Sequence, residues 1–330
     1  MQEVAKRAGV APSSVSRVLS GHPNVSAVMR NRVIDAVSAL GYEPDLLAQS
    51  LRRGASMTIG FVVANISNPL ISEIALGAET CLQAAGYSML LTNSMNSPAL
   101  DAEHIRLLTQ RRVDGLLLSI SSEDSQVTID AVNKSGVPVV LVDRELNVDR
   151  PVSAVIAEHD TGIAEAVSHL ASLGHTRIAL VNGPSDVRPA RDRAATLRRV
   201  SRQLGIIAIV RSGEFTTEHG EQATDSLLSQ TSPPTAIVAG SNQILVGVLR
   251  QIRKHHVRIP DDLSLVTCDE VPLAEFLVPP LATIERDHHQ MGVFAAELLL
   301  ESLSGSRPRI QRVPTTYIPT ASVNAAPISK

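Results

Sequence analysis

The sequence predicts a small all-α head followed by a large α/β body of two parallel-sheet lobes. Three observations carry this. Strand-length apolar runs recur from residue 58 onward, separated by longer amphipathic segments. The first 56 residues contain no such run and read as short helices. Charge divides at the same place: residues 1–56 hold 7 Lys/Arg against 4 Asp/Glu, and the remainder holds 23 against 29. A head of +3 on a body of −6 suits a head that meets an anionic partner.

The bulk properties narrow the class. A chain of 330 residues predicts two or three domains. At 44% hydrophobic and 19% charged, it has material for ample cores. No apolar run approaches the roughly 18 residues of a membrane span. The N-terminal residues alternate apolar and polar instead of forming a signal-like apolar stretch, so a cytoplasmic location is expected. Cys81 and Cys268 sit in apolar contexts and are expected to be small core residues, not a disulfide.

In the head, residues 2–8 predict a first helix. Residues 12–19 predict a second, with Pro12 at the first helical position, where no backbone donor is lost. Residues 26–40 predict a third: Ser26 can cap it, Val33, Ala36, Val37 and Leu40 share a face, and Gly41 ends it. A fourth short helix is expected over 45–53. In the body, nine apolar runs read as strands: 58–64, 87–93, 113–120, 138–143, 153–158, 177–183, 206–213, 235–241 and 263–269. Continuous apolar strands alternating with helices imply parallel sheets covered on both faces. Nine strands exceed one comfortable open sheet, so two lobes are predicted. Ligands of such folds sit beyond the carboxyl ends of strands, here in the cleft between lobes.

Phosphate-cradling, zinc-protease, nucleophile-elbow and dinucleotide motifs are all missing from the sequence, and no catalytic cluster, cofactor or metal site is predicted. The histidine pairs His255–His256 and His288–His289 are read as solvated helix ends, since adjacent helical residues do not face one direction.

On a helix over 12–20, Val15, Val18 and Leu19 share one face, and Ser13, Ser16 and Arg17 share the other. Gly9 permits a tight turn from the preceding helix, whose Val4, Ala5 and Ala8 meet the inner face. One forked cation among small hydroxyls suits entry into a major groove; the alternative is a solvated face carrying one arginine.

The stretch VAKRAGVAPSSVSRVLSG (4–21) resembles the N-terminal signature of the LacI/GalR family of bacterial transcription regulators. PNVS (23–26), LGYEP (40–44), RRVDGLLL (111–118), GHTRIALVNGP (174–184), IPDDLSLVTCDE (259–270) and PPLATI (279–284) continue the likeness over nearly the whole chain. The resemblance implies a helix-turn-helix DNA-binding domain over 1–44, a hinge helix and linker over 45–56, and a body over 57–330 that looks like a periplasmic sugar-binding protein. One lobe would take residues 57–156 and 286–315, and the other 157–285 and 316–330. Pro12 and Ser13 fall at the positions that help choose the operator. Arg17 matches a base or phosphate contact, and Ser16 and Asn24 match backbone-contacting positions. Leu51 corresponds to a hinge leucine wedged into the minor groove, the alternative being a helix-packing leucine, and Arg52 would reach the groove or a phosphate beside it.

In the body, the resemblance places effector contacts at Leu70, Ile71, Asp143, Arg193, Phe215, Ser241, Asp269 and Arg286. Read from the residues alone, either aspartate could instead cap a helix, Phe215 could pack within a lobe and Arg193 could form a surface salt bridge. There are departures. Ala11 replaces the usual Ser cap of the second helix, a loss of about 1 kcal/mol. Leu70–Ile71 replace aromatic residues, Ser241–Asn242 replace Asn-Asp, and Glu158–His159 replace Asp-Asn. Thr196 stands where Gly is usual, and Ala282 interrupts a Leu-Thr-Thr pattern. Met1 falls where an apolar first-helix residue follows a capping Thr, so a start a few residues upstream is expected. Together these readings predict a homodimeric, or higher-order, regulator of double-stranded pseudo-palindromic operator DNA, acting as a repressor. A small-molecule effector, sugar-like by default, would control it. The rival reading is a transporter's solute-binding protein, which shares the body but has no such head.

Overall fold

The computed structural model describes residues 1–19, 22–42, 54–269 and 277–327. It divides into two compact units, residues 1–56 and 57–330. The predicted fourth helix, with Leu51 and Arg52, lies outside the described residues.

The first unit holds α1 (Gln2–Ala8), α2 (Pro12–Leu19) and α3 (Ala27–Leu40). Their apolar faces form one small core of Val4, Ala5, Ala8, Val15, Val18, Val33 and Ala36. Leu19 and Val37 pack at its margin. The Ala11 carbonyl accepts the first amides of α2, from Ser14 at 2.9 Å and Val15 at 3.2 Å. The Ser26 hydroxyl caps α3 by accepting from the Met29 amide at 3.3 Å. Gly9 turns the chain between α1 and α2 at φ 65°, a left-handed conformation that L side chains resist.

The second unit contains two six-stranded sheets. The first runs β11-β5-β4-β3-β1-β2 and is parallel throughout. Its strands are β1 (Thr58–Val63), β2 (Ser88–Asn93), β3 (Gly115–Ser119), β4 (Val139–Val142), β5 (Ser153–Glu158) and β11 (Ile310–Pro314). The second runs β12-β10-β9-β8-β6-β7, parallel except where β12 meets β10. It comprises β6 (Arg177–Asn182), β7 (Ile207–Ser212), β8 (Ala236–Ala239), β9 (Ser264–Cys268), β10 (Ala282–Glu285) and β12 (Thr316–Ile318). The chain therefore passes between the sheets after β5, after β10 and between β11 and β12. β10, β11 and β12 were not among the predicted strands. They are only 4, 5 and 3 residues long, and β11 and β12 are edge strands with alternating exposure.

Helices cover both faces of each sheet, as buried parallel strands require. Around the first sheet are α4 (Pro69–Ala84), α5 (Pro98–Gln110), α6 (Gln126–Lys134) and α11 (His288–Leu303). Around the second are α7 (His159–Ser172), α8 (Arg188–Leu204), α9 (Thr217–Leu228) and α10 (Asn242–Lys254). α4 and α11 touch backbone to backbone: a Cβ on Gly292 would lie 1.9 Å from the Ile74 carbonyl oxygen. Both cysteines are free; Cys268 is buried, and Cys81 is partly buried beside the first lobe's core. Among the described residues no helix is long and apolar enough to cross a membrane.

Candidate functional site

The first candidate is the outer face of α2. Pro12, Ser13 and Arg17 are exposed and Ser16 is half-buried, whereas Val15 and Val18 face the core. This separation follows from helical spacing alone, because residues three and four apart share a face. Asn24 is exposed in the loop before α3, where its amide donates to the His22 Nδ1 at 3.3 Å.

The second candidate is the cleft between the two sheets, which encloses about 560 Å³ of empty volume, part of it open to solvent. All eight effector positions expected from the sequence line it: Leu70, Ile71, Asp143, Arg193, Phe215, Ser241, Asp269 and Arg286. All but Arg193, which lies in the second turn of α8, sit where a strand or helix begins or ends. Leu70 and Ile71 form the first turn of α4. Asp143 follows β4 and Asp269 follows β9, both with positive φ, at 52° and 72°. Such αL conformations cost little for Asp, whose short side chain tolerates them. Phe215 lies against Gly183, whose missing side chain makes room for the ring, and it also packs on the second lobe's core. Ser241 caps α10 through the Ile244 amide at 3.2 Å.

Arg286 organises the charges. It lies on the crossing after β10 with a side chain only 7% exposed. One end of its guanidinium meets the Asp143 carboxylate of the first lobe. Its Nε lies 3.0 Å from the Asp269 carboxylate of the second. Arg193 adds an Nη 3.7 Å from Asp269 and donates to the Gly240 carbonyl at 2.7 Å. Burial alone would raise the Asp143 carboxyl, but Arg286 and then His159 hold it well below the usual carboxylate range. Asp269 is depressed likewise: burial would raise it, and Arg286, His288 and Arg193 together outweigh burial. Burial would lower Arg286, and Asp269 and Asp143 raise it instead. Both aspartates are thus committed to ion pairs.

The structure also corrects the sequence reading of the second histidine pair. His288 is not a solvated helix end. It is buried at the start of α11, with Nε2 3.2 Å from Asp269. His289 is exposed as expected, and His255 bonds Asp225 at the surface. His159 is buried too, 3.3 Å from Asp143, and burial with the nearby Arg193 lowers its pKa to about 4. Neither pair gathers a metal-binding cluster among the described residues.

Several site residues were missed. Arg144 lines the cleft immediately after Asp143, where the strand-end rule could have found it. Its Nε and an Nη donate to the carbonyls of Ile120 at 2.7 Å and Asp143 at 2.9 Å. Glu123 had no sequence signal. It follows β3 in the first lobe, yet its carboxylate caps α8 of the second, accepting from the Arg188 amide at 2.9 Å. It also meets the Arg191 guanidinium at 2.6 Å. At the cleft mouth, the Asn242 amide donates to Asn68 Oδ1 at 3.0 Å, joining the starts of α10 and α4. The lobes are therefore latched at these two places as well as through Arg286.

Comparison with known proteins gives the family. Residues 1–45 match bacterial regulatory proteins of the lacI family, and residues 167–323 match the periplasmic binding protein-like domain. The ribose operon repressor of Halalkalibacterium halodurans is 31% identical over 303 residues, 92% of this chain and 90% of that protein. The transcriptional repressor CytR of Escherichia coli (strain K12) is 30% identical over 308 residues, with 92% and 90% covered. The lac repressor dimer bound to operator and the anti-inducer ONPF superposes with a TM-score of 0.86 at 27% identity, over 98% of both chains. A complex of the regulator CelR with cellobiose gives 0.75 at 28% identity, over 97% of this chain and 98% of that one. This chain belongs to the lacI family of bacterial regulatory proteins and is a transcriptional regulator, not an enzyme.

Proposed function

We propose that the protein is a cytoplasmic repressor that binds a pseudo-palindromic operator as a homodimer. A small molecule held in the interlobe cleft, sugar-like by default, controls operator affinity. The observation that carries this reading is the convergence of eight predicted effector positions on one cleft. In this reading residues 1–44 bind DNA, 45–56 form the hinge, and 57–330 bind effector and dimerise. One head per chain reads one half-site, so a dimer matches a two-fold operator. Arg17 supplies a base or phosphate contact, Pro12 and Ser13 adjust the choice of sequence, and Ser16 and Asn24 hold the backbone. Leu51 and Arg52 would act at the operator centre. The effector works by binding the open and latched forms of the body unequally, since only differential affinity can shift that equilibrium.

Selection of bound sequences from random DNA, followed by gel shifts with and without candidate metabolites, tests the reading. A two-fold symmetric site should emerge, its affinity should fall steeply with salt, and one metabolite should change it. Recovery of no preferred sequence would defeat the proposal.

A further inference from the structure

The chemistry of the cleft carries the effector question further. Its lining includes three guanidinium groups, Arg144, Arg193 and Arg286, against two carboxylates, Asp143 and Asp269. Those carboxylates are the groups that would accept hydroxyl donors from a neutral sugar, and they are largely spent. One Asp143 oxygen takes the Ala157 amide at 3.1 Å, and the other takes Arg286 and His159. One Asp269 oxygen takes Arg286 at 3.0 Å and His288 at 3.2 Å. Among the described residues the other has a longer contact to Arg193, at 3.7 Å.

Among the charged groups, Arg193 holds donor capacity that is not yet used. Arg193 is 3% exposed, and its Nε has no hydrogen-bond partner among the described residues. A buried donor left this way is costly unless a ligand completes it. Arg144 gives two of its five N–H groups to carbonyls, and the Asp143, Glu123 and Asp101 carboxylates offset part of its charge. Two helices begin at the cleft, α4 at Leu70 and Ile71 and α10 at Ser241 and Gln243, so their positive dipole ends add to the same field.

We infer that the effector carries an acidic group, a carboxylate or phosphate, received between Arg193 and Arg144 on a small polar skeleton. This rests on the cleft being the effector site. A neutral sugar offers the buried Arg193 Nε only an uncharged acceptor, where an acidic group would offer a charged one.

The test titrates the full-length protein with matched pairs: gluconate against glucose, ribose 5-phosphate against ribose, and inorganic phosphate alone. Calorimetry and the melting temperature read binding, and gel shifts read operator affinity. In at least one pair the anion should bind roughly tenfold more tightly, the difference made by one charge-assisted contact. That gap should shrink as salt rises. The gluconate and phosphate arms distinguish the two acidic groups. Arg144→Gln should narrow the gap, and Arg193→Gln should remove it. Melting of each unliganded variant separates lost binding from lost folding. Neutral sugars binding as tightly as their acids would overturn the inference and leave the cleft as effector site intact. No anion binding at all, or anion binding undiminished in a folded Arg193→Gln protein, would overturn it too. The broader effector reading fails separately, if no compound of either class changes operator affinity.

Discussion

The face of α2 and the interlobe cleft are both rich in polar groups, but they are built in opposite ways. On α2 the exposed candidates Pro12, Ser13 and Arg17 stand on the surface of a helix whose other face makes the core. In the cleft, Asp143, Asp269, Arg286, Arg193, His159 and His288 are buried and share partners. Removing one leaves another charge uncompensated. Independent sites add, and networks do not. The head should therefore lose function without losing stability, whereas the cleft should lose both together.

The largest expected effect tests the cleft side of this contrast. Arg286→Ala would strand two buried carboxylates and should cost about 3–5 kcal/mol of body stability, measured by urea unfolding. A loss under about 1 kcal/mol would mean that the network is not cooperative. The next tests the head. Arg17→Ala should lower operator discrimination by about 1–3 kcal/mol, with melting nearly unchanged because the residue is exposed. A clear drop in melting temperature would break the contrast from that side.

The third prediction concerns pH. His159 is held neutral, with its pKa lowered from 6.5 to about 4. The unfolded chain therefore binds a proton that the folded one does not between these values. Stability from this group is complete above pH 6.5 and is lost as pH falls toward 4. Over the whole span the loss should be on the order of 3 kcal/mol, visible as a falling melting temperature. His159→Asn should flatten that slope, and a slope unchanged by the substitution would assign it elsewhere. The smallest effect returns to the head. Ser26→Ala removes the α3 cap and should cost about 1 kcal/mol, read by faster hydrogen exchange of the α3 amides in the full chain, with the cleft amides unaffected.

The same contrast explains what could be read from the sequence. Helical spacing was enough to sort Val15 and Val18 from Ser13 and Arg17, because a surface helix writes its two faces directly into residue order. Strong apolar runs located nine of the twelve strands among the described residues for the same reason. The strands missed were short, and two lie at sheet edges, where burial leaves a weak imprint. The eight cleft positions came from the family likeness, since residues so far apart show no local pattern that joins them. His288 was misread because the sequence shows a histidine at a helix start, not what packs over it. Glu123 was invisible because its partner, the start of α8, belongs to the other lobe.

The last strands of the chain close sheets begun far earlier. β11 pairs with β5, whose residues precede it by roughly 150 positions, and β12 then covers β10. During synthesis at about 5–20 residues per second, β5 waits roughly 8–30 s as an open edge. Neither sheet is sealed until the final stretch of the body leaves the ribosome, whereas every helix of the head's core is available within the first 42 residues. The newborn protein thus carries the packed core of its head long before the part that would govern it, and unpaired strand edges recruit other chains most readily in that interval.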